Sequence, residues 1–266
     1  MKLQKRKVGL ALGSGAARGF AHIGVLAVFE KEGIPIDMIA GTSVGALIGA
    51  LYAQGRTTNE IKSLIVDLGR KRLALLTDLA LPKTGLIRGR KIEDTLRSIM
   101  GDIEFGDLKM PFACVATDII TGEEVVIKQG LVWERVRASV SIPVILAVAR
   151  REGRYLVDGV LTNPVPVNVL REMGADFIIA VNTITDRSKS LKPVSKKPNV
   201  FNVIMQTIHI VAYQSLKSSL AGADVVIEPQ VASIGYFDFH RAQECILQGE
   251  LAAQSSIPEI KRRLEA

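Results

Sequence analysis

The sequence predicts an α/β protein whose mostly parallel central sheet carries helices on both faces. Three observations lead there. The unbroken apolar run Val8–Leu12 matches a strand buried on both sides of a parallel sheet. Strand-like and helix-like patterns then alternate through residue 55, the rhythm of right-handed βαβ units. With 266 residues and 48% hydrophobic content the chain can bury a full core, and neither figure suggests disorder or a fibre.

Val8–Leu12 leads into the turn Gly13-Ser14-Gly15-Ala16-Ala17-Arg18-Gly19. A helix follows over 20–31, with Ile23, Leu26, Ala27 and Phe29 at helical spacing; Gly33 stops it and Pro35 blocks its continuation. Residues 36–40 read as the second strand, ending directly in Gly41, and the next helix spans 44–54 and stops at Gly55. From 58 to 100 the pattern is helical with interruptions. Within it, 73–82 is an apolar block ending in Pro82 between basic residues, suited to core packing or to a lid that docks on lipid.

Residues 112–117 and 124–128 read as a hairpin turning at Thr121-Gly122. A helix over 133–140 leads to Pro143, and a short strand over 154–157 ends in Asp158-Gly159. The following Leu161-Thr162-Asn163-Pro164-Val165-Pro166 reads as a tight loop, and 177–181 as another buried strand. The Lys-, Ser- and Pro-rich stretch 186–199 has the composition of an exposed loop. Beyond it come a long helix over 200–220 and a strand-like 224–228, apolar enough to join the same sheet. The expected organisation is a core over 1–185, a loop over 186–199, and a helical segment over 200–266 whose strand completes the same domain.

A formal net charge of +7 points to an anionic partner, either a phospholipid surface or nucleic acid. Aromatics make up only 5% and do not interleave the basic clusters, which argues against nucleic acid and leaves a solvated face or an anionic membrane. Cys114 and Cys245 stand far apart in apolar runs, the pattern of buried thiols rather than of a zinc set or disulfide framework. The basic start and the short, glycine-broken run at 8–12 make a poor signal peptide. Residues 38–55 carry no charge, but their glycines suit a buried strand, turn and helix better than a membrane span. The expected location is the cytoplasm, with peripheral contact at a membrane's inner face; oligomeric state is not legible.

Chemistry concentrates in Gly41-Thr42-Ser43-Val44-Gly45. G-x-S-x-G between a strand and a helix describes a nucleophile elbow, whose tight turn exposes one serine hydroxyl. Serine needs a base and an oxyanion site. The Gly13–Gly19 turn fits the second role better than a dinucleotide fingerprint, because Arg18 stands where the third glycine is needed. Its small residues let amides converge at a helix start, and Arg18 would steady the loop or meet a substrate phosphate. For the base, chain order nominates His209 or His240 with Asp158 as acid, while His22 reads as structural. Alternatively Asp158, placed where a strand meets Gly159, acts on Ser43 directly. Rival readings are a nucleotide-binding module built on the glycine loop and a membrane-surface protein whose hydrolase site is idle.

Taken together, Gly13-Ser14-Gly15-Ala16-Ala17-Arg18-Gly19, Gly41-Thr42-Ser43-Val44-Gly45 and Asp158-Gly159-Val160 resemble the motifs of bacterial patatin-like phospholipases. The stretch Gly235-Tyr236-Phe237-Asp238-Phe239-His240 looks like the tail of small members of that family. The resemblance implies a three-layer α/β/α fold and a histidine-free serine–aspartate dyad that hydrolyses acyl esters of lipids; no calcium-loop or zinc-set pattern stands in the sequence, so no metal or cofactor is expected. It implies Ser43 as nucleophile, Asp158 as base, the amides of Ser14, Gly15 and Ala16 as oxyanion hole, Arg18 beside them, and Gly41 and Gly45 as the elbow's flanks. Two departures stand out. Ser14-Gly15-Ala16 replaces the family's glycine triplet, and Val160 follows Asp158-Gly159, placing a β-branched side chain where it would narrow the pocket.

Overall fold

The computed structural model describes residues 6–70, 89–185 and 200–265. The apolar block at 73–82 and the loop expected at 186–199 lie outside them. Strand β1 (Val8–Leu12) is central, flanked in parallel by β2 (Met38–Thr42) and β7 (Phe177–Val181). On one side β7 continues to β8 (Val225–Ile227), and on the other β2 pairs in parallel with β3 (Phe112–Asp118). The C-terminal strand therefore belongs to the same sheet as the N-terminal motifs.

Three antiparallel strands complete the sheet: β4 (Glu124–Ile127), β5 (Ala149–Arg151) and β6 (Arg154–Asp158). Their register matters. β4 lies along one edge of β3 from Cys114 to Thr117. The opposite edge is shared: β2 pairs Thr42 with Val115, and β6 pairs Asp158 with Ala116. Two strands running in opposite directions thus meet end to end beside β3, at the carboxyl edge of the parallel strands.

Side chains alternate across the sheet and feed two cores, as period-two strands must. Val8, Leu10, Leu12, Phe177, Ile179 and Val181 face one core. That core is covered by α1 (Ala21–Glu32), α2 (Val44–Ala53), α3 (Thr58–Arg70), α4 (Arg90–Met100), α5 (Val132–Ser139) and α8 (Ala242–Glu265). Ala11, Ile178 and Ala180 face the other, covered by α6 (Val167–Glu172) and α7 (Val200–Ser219). The result is the three-layer α/β/α arrangement. α1 and α8 touch backbone to backbone, because a Cβ on Gly24 or Gly249 would collide with the carbonyl oxygen of Ile246 or Ala21.

Two local readings need correction. The second strand runs over Met38–Thr42 and not 36–40. Asp37 explains the shift: its carboxylate and amide both bond the main chain of Val8, capping the strand from outside. Gly41 is therefore inside β2, and the elbow begins at Ser43. In addition, β5 and α6 have no counterpart in the sequence reading. β5 is three residues long, and α6 follows a Pro-rich loop that masks a helical start.

Candidate active site

β2 ends in a turn that few residues tolerate. Ser43 holds φ 58° and ψ −124°, a conformation that costs an L-residue on the order of 1–3 kcal/mol. Its flanking glycines supply room. A Cβ on Gly41 would sit 2.5 Å from the Gly45 carbonyl oxygen, and one on Gly45 would overlap the carbonyl of Leu12. With both sides cleared, the Ser43 hydroxyl projects above the carboxyl edge of the sheet.

There it meets Asp158. Ser43 Oγ donates to Asp158 Oδ2 across 2.6 Å, and Asp158 Oδ1 accepts the amide of Val160 at 2.9 Å. The carboxylate is only 1% exposed. Burial pushes its pKa up to about 7, against the two hydrogen bonds, from Ser43 and from the Val160 amide, that favour the charged form. A carboxylate poised near neutral pH, touching a hydroxyl, is suited to general-base work.

The Gly13–Gly19 turn lies beside this pair, but its three expected donors are not equivalent. The amide of Ser14 donates to the Pro164 carbonyl at 2.9 Å, so it is committed to holding the loop. The amides of Gly15 and Ala16 donate to no acceptor among the described residues. Ala16 sits at φ 50°, the left-handed region that alanine enters at a cost. Its side chain and that of Ser43 line the same cavities. Arg18 is buried and turned inward: Nε donates to the Ile234 carbonyl at 2.6 Å, Nη1 to Thr185 Oγ1 at 3.1 Å, and the guanidinium stacks 4.3 Å from the Tyr236 ring centroid. These contacts tie the turn to Thr185, Ile234 and Tyr236.

The three histidines occupy different places. His22 is buried with Nε2 bonded to the Gly13 carbonyl at 2.7 Å, and burial lowers its pKa to about 4. His240 is exposed in a short 3-10 turn. His209, on α7, borders the smaller of the cavities at Ser43 and bonds the Tyr236 hydroxyl through Nδ1. Ser43 Oγ itself bonds the Asp158 carboxylate directly.

Two cavities open at Ser43. The larger, about 210 Å³, is almost wholly apolar, with Phe20, Leu47, Ile65, Leu96 and Leu146 among its walls. The smaller, about 40 Å³, runs between the glycine loop and α7; Asp158, Val160, His209 and Tyr236 border it. Val160, expected to narrow the pocket, is one of the residues that border this smaller cavity.

The sequence profile of the patatin-like phospholipases matches residues 10–171, well over half of the chain. The chain belongs to the patatin-like phospholipase family. An uncharacterized NTE family protein of Mycobacterium tuberculosis is 38% identical over 176 residues, covering 66% of this chain and 49% of that protein. Patatin-like phospholipase domain-containing protein 6 of Homo sapiens is 35% identical over 180 residues, covering 66% of this chain and 13% of that protein. Lysophospholipase NTE1 of Meyerozyma guilliermondii is 29% identical and covers 94% of this chain and 19% of that protein. The chain thus spans about half the length, or less, of these curated relatives. Among solved structures, VipD from Legionella pneumophila matches with a TM-score of 0.51 at 13% identity, over 95% of this chain and 67% of that one, a likeness of fold.

Beyond the patatin-like motifs, the structure brings in residues that sequence reasoning missed. Thr183 Oγ1 donates to the Ser14 carbonyl at 2.7 Å and packs so closely on Gly15 that a Cβ there would collide with it. Ser139 Oγ accepts the amide of Ser43 at 2.9 Å. The available signal for the second was the alternation Ser139-Val140-Ser141 ahead of Pro143, small polar residues where a helix runs out.

Proposed function

We propose that this chain is a lipid acyl hydrolase working through a Ser43–Asp158 dyad and an acyl-enzyme. The observation that carries the reading is the direct 2.6 Å bond from Ser43 Oγ to a buried carboxylate at the apex of a strained elbow. Asp158 takes the hydroxyl proton as Ser43 Oγ attacks the ester carbonyl carbon. The negative charge that develops on the carbonyl oxygen is received by the amides of Gly15 and Ala16. Collapse breaks the bond to the alcohol, which leaves with the proton from Asp158. Water then repeats the sequence on the acyl-enzyme: it yields a proton to Asp158, attacks the same carbon, and releases the fatty acid and Ser43.

The cavities suggest how a lipid would lie. The larger, apolar one suits an acyl chain, and the smaller one, with polar groups on its wall, suits the alcohol side of the ester. Phospholipid or lysophospholipid is the favoured substrate class, in keeping with the family and with the lysophospholipase among its relatives. Contact with an anionic membrane surface is supported by the net charge of +7 and by α7. One face of α7 borders the smaller cavity through Met205, Ile208 and Ala212, while Val200, Val203, Ile210 and Tyr213 are exposed apolar side chains on the same helix. No helix among the described residues is long and apolar enough to cross a membrane.

The test joins two measurements. A fluorophosphonate probe should label Ser43 covalently, and mass spectrometry of a mixed lipid extract treated with the protein should reveal free fatty acid and the matching lyso-lipid or alcohol. An unlabelled Ser43 with no lipid product would sink the proposal. The histidine alternative is decided in the same assay, because a base at His209 would cost several orders of magnitude in kcat when replaced.

A further inference from the structure

The segment that closes α5 reaches both members of the pair from behind. Ser139, its last residue, is fully buried, and its hydroxyl oxygen accepts the Ser43 amide at 2.9 Å. The same hydroxyl donates to the Val115 carbonyl on β3 at 2.6 Å. A hydroxyl has one proton, so with that proton on Val115 its lone pairs are left to face Ser43. Two residues on, the Ser141 carbonyl accepts the Asp158 amide at 2.9 Å. The buried Arg137 guanidinium in turn donates to the Ser141 hydroxyl. One short stretch, Arg137 to Ser141, therefore grips the main chain of both nucleophile and base.

We infer that Ser139 is a positioning residue for the reaction proposed above, holding the Ser43 peptide in the elbow conformation that aims Oγ at Asp158. The inference rests on the Ser43–Asp158 reading. Strained backbone persists only where its surroundings over-determine it. Gly41 and Gly45 make room for the turn but attract nothing; the Ser139 bond supplies a directional force. It also commits the nucleophile's own amide, so that amide does not join Gly15 and Ala16 around an oxyanion. Removing the hydroxyl would leave the Ser43 amide and the Val115 carbonyl buried without this partner, a penalty the chain relieves by rotating the Ser43 peptide. Rotation at that peptide swings Oγ away from the carboxylate.

The experiment compares wild type with Ser139→Ala and Ser139→Thr on a short p-nitrophenyl ester. For each, the rate of fluorophosphonate labelling at Ser43 and the thermal midpoint are recorded. Ser139→Ala should label at least about tenfold more slowly and lose a similar share of kcat, with KM within about twofold. Ser139→Thr keeps the hydroxyl and should recover most of the labelling rate. A folded Ser139→Ala that labels as fast as wild type overturns the inference, as does a threonine variant no better than the alanine one. If Ser139→Ala does not fold, Ser139→Cys keeps the volume with a weaker hydrogen bond; labelling at the wild-type rate overturns the inference, and slower labelling at unchanged KM supports it. Failure of wild-type Ser43 to label removes the dyad reading and the inference with it, an outcome distinct from equal labelling of both proteins.

Discussion

Ser43 and Asp158 lie 115 residues apart in sequence, yet their side chains share one proton's path of 2.6 Å. β3 brings them together, because Thr42 pairs with Val115 and Asp158 with the next residue, Ala116. Thr42, which leads directly into the nucleophile, and Asp158 thus occupy successive positions beside one strand, and several expectations follow from that adjacency.

Removing either partner should cripple turnover, and loss of the Ser43 hydroxyl should spare the fold. Ser43→Ala is expected to reduce hydrolysis of a p-nitrophenyl ester to background, and Asp158→Asn to lower kcat by roughly 10²–10⁴-fold. Circular dichroism and thermal midpoints should stay close to wild type for Ser43→Ala, since it deletes one hydroxyl without opening a large void. Asp158→Asn with wild-type kcat would show that the carboxylate is not the base.

Activity and stability should respond to pH in opposite directions through Asp158. Its folded pKa is raised to about 7, so kcat/KM should rise with pH along a single-proton limb with its midpoint near that value. The folded pKa exceeds the unfolded one of about 3.9, so the native state binds more protons between the two. Its contribution to stability is full below the unfolded pKa and is lost as pH rises through about 7. Relative to Asp158→Asn, the wild-type thermal midpoint should therefore fall across this window; parallel profiles would contradict it.

His22 acts in the reverse sense. Burial depresses its pKa from 6.5 to about 4, so its contribution is full above the unfolded pKa and is lost as pH falls through the folded one. The two groups oppose each other over much of the same range, which flattens the wild-type curve. Differences between wild type and single variants, measured as thermal midpoints against pH, are the informative quantity; a His22 variant whose midpoint runs parallel to wild type between about pH 4 and 6.5 would contradict the His22 contribution.

Ala16 should prefer glycine and refuse branching. At φ 50° the usual cost of an Ala→Gly change is offset by relief of strain, so Ala16→Gly should lie within about 0.5 kcal/mol of wild type. Ala16→Val places a β-branched side chain in the same conformation and should lose labelling of Ser43, stability, or both. Denaturant titration measures the first change and probe labelling the second. A well-tolerated valine would mean that the loop reshapes freely and does not present fixed oxyanion donors.

The larger cavity should set acyl length. Leu47 lines it beside Ser43, and Leu47→Trp would fill much of its roughly 210 Å³. Activity on a dodecanoate ester should fall at least about tenfold more than activity on the butyrate ester, as expected when apolar pocket contacts are lost. Equal losses on both would place the acyl chain elsewhere.

Much of the architecture was readable because its signals are local. Val8–Leu12 and Phe177–Val181 are short apolar runs that only a doubly covered strand explains, and Gly33 marks a left-handed helix end at φ 66°. The elbow was readable because glycines at 41 and 45 answer a steric demand within five residues. What escaped the sequence depends on distant partners. Nothing near Ser14 foretells that Pro164 will take its amide, and nothing near Ser139 foretells Ser43. Likewise nothing near Arg18 foretells its bond to the Ile234 carbonyl, 216 positions further on.

The end-to-end meeting of β2 and β6 makes β3 a ruler with one-residue graduations. A strand advances about 3.3 Å per residue, so the separation along β3 of Thr42, which leads into the elbow, and Asp158 is set by strand pitch. Connections outside the elbow and the Arg137–Ser141 stretch can lengthen, shorten or change sequence while the two strand ends keep their places beside β3. Moving β6 by a single graduation, in contrast, would turn Asp158 to the other face of the sheet and disarm the protein with every side chain still present.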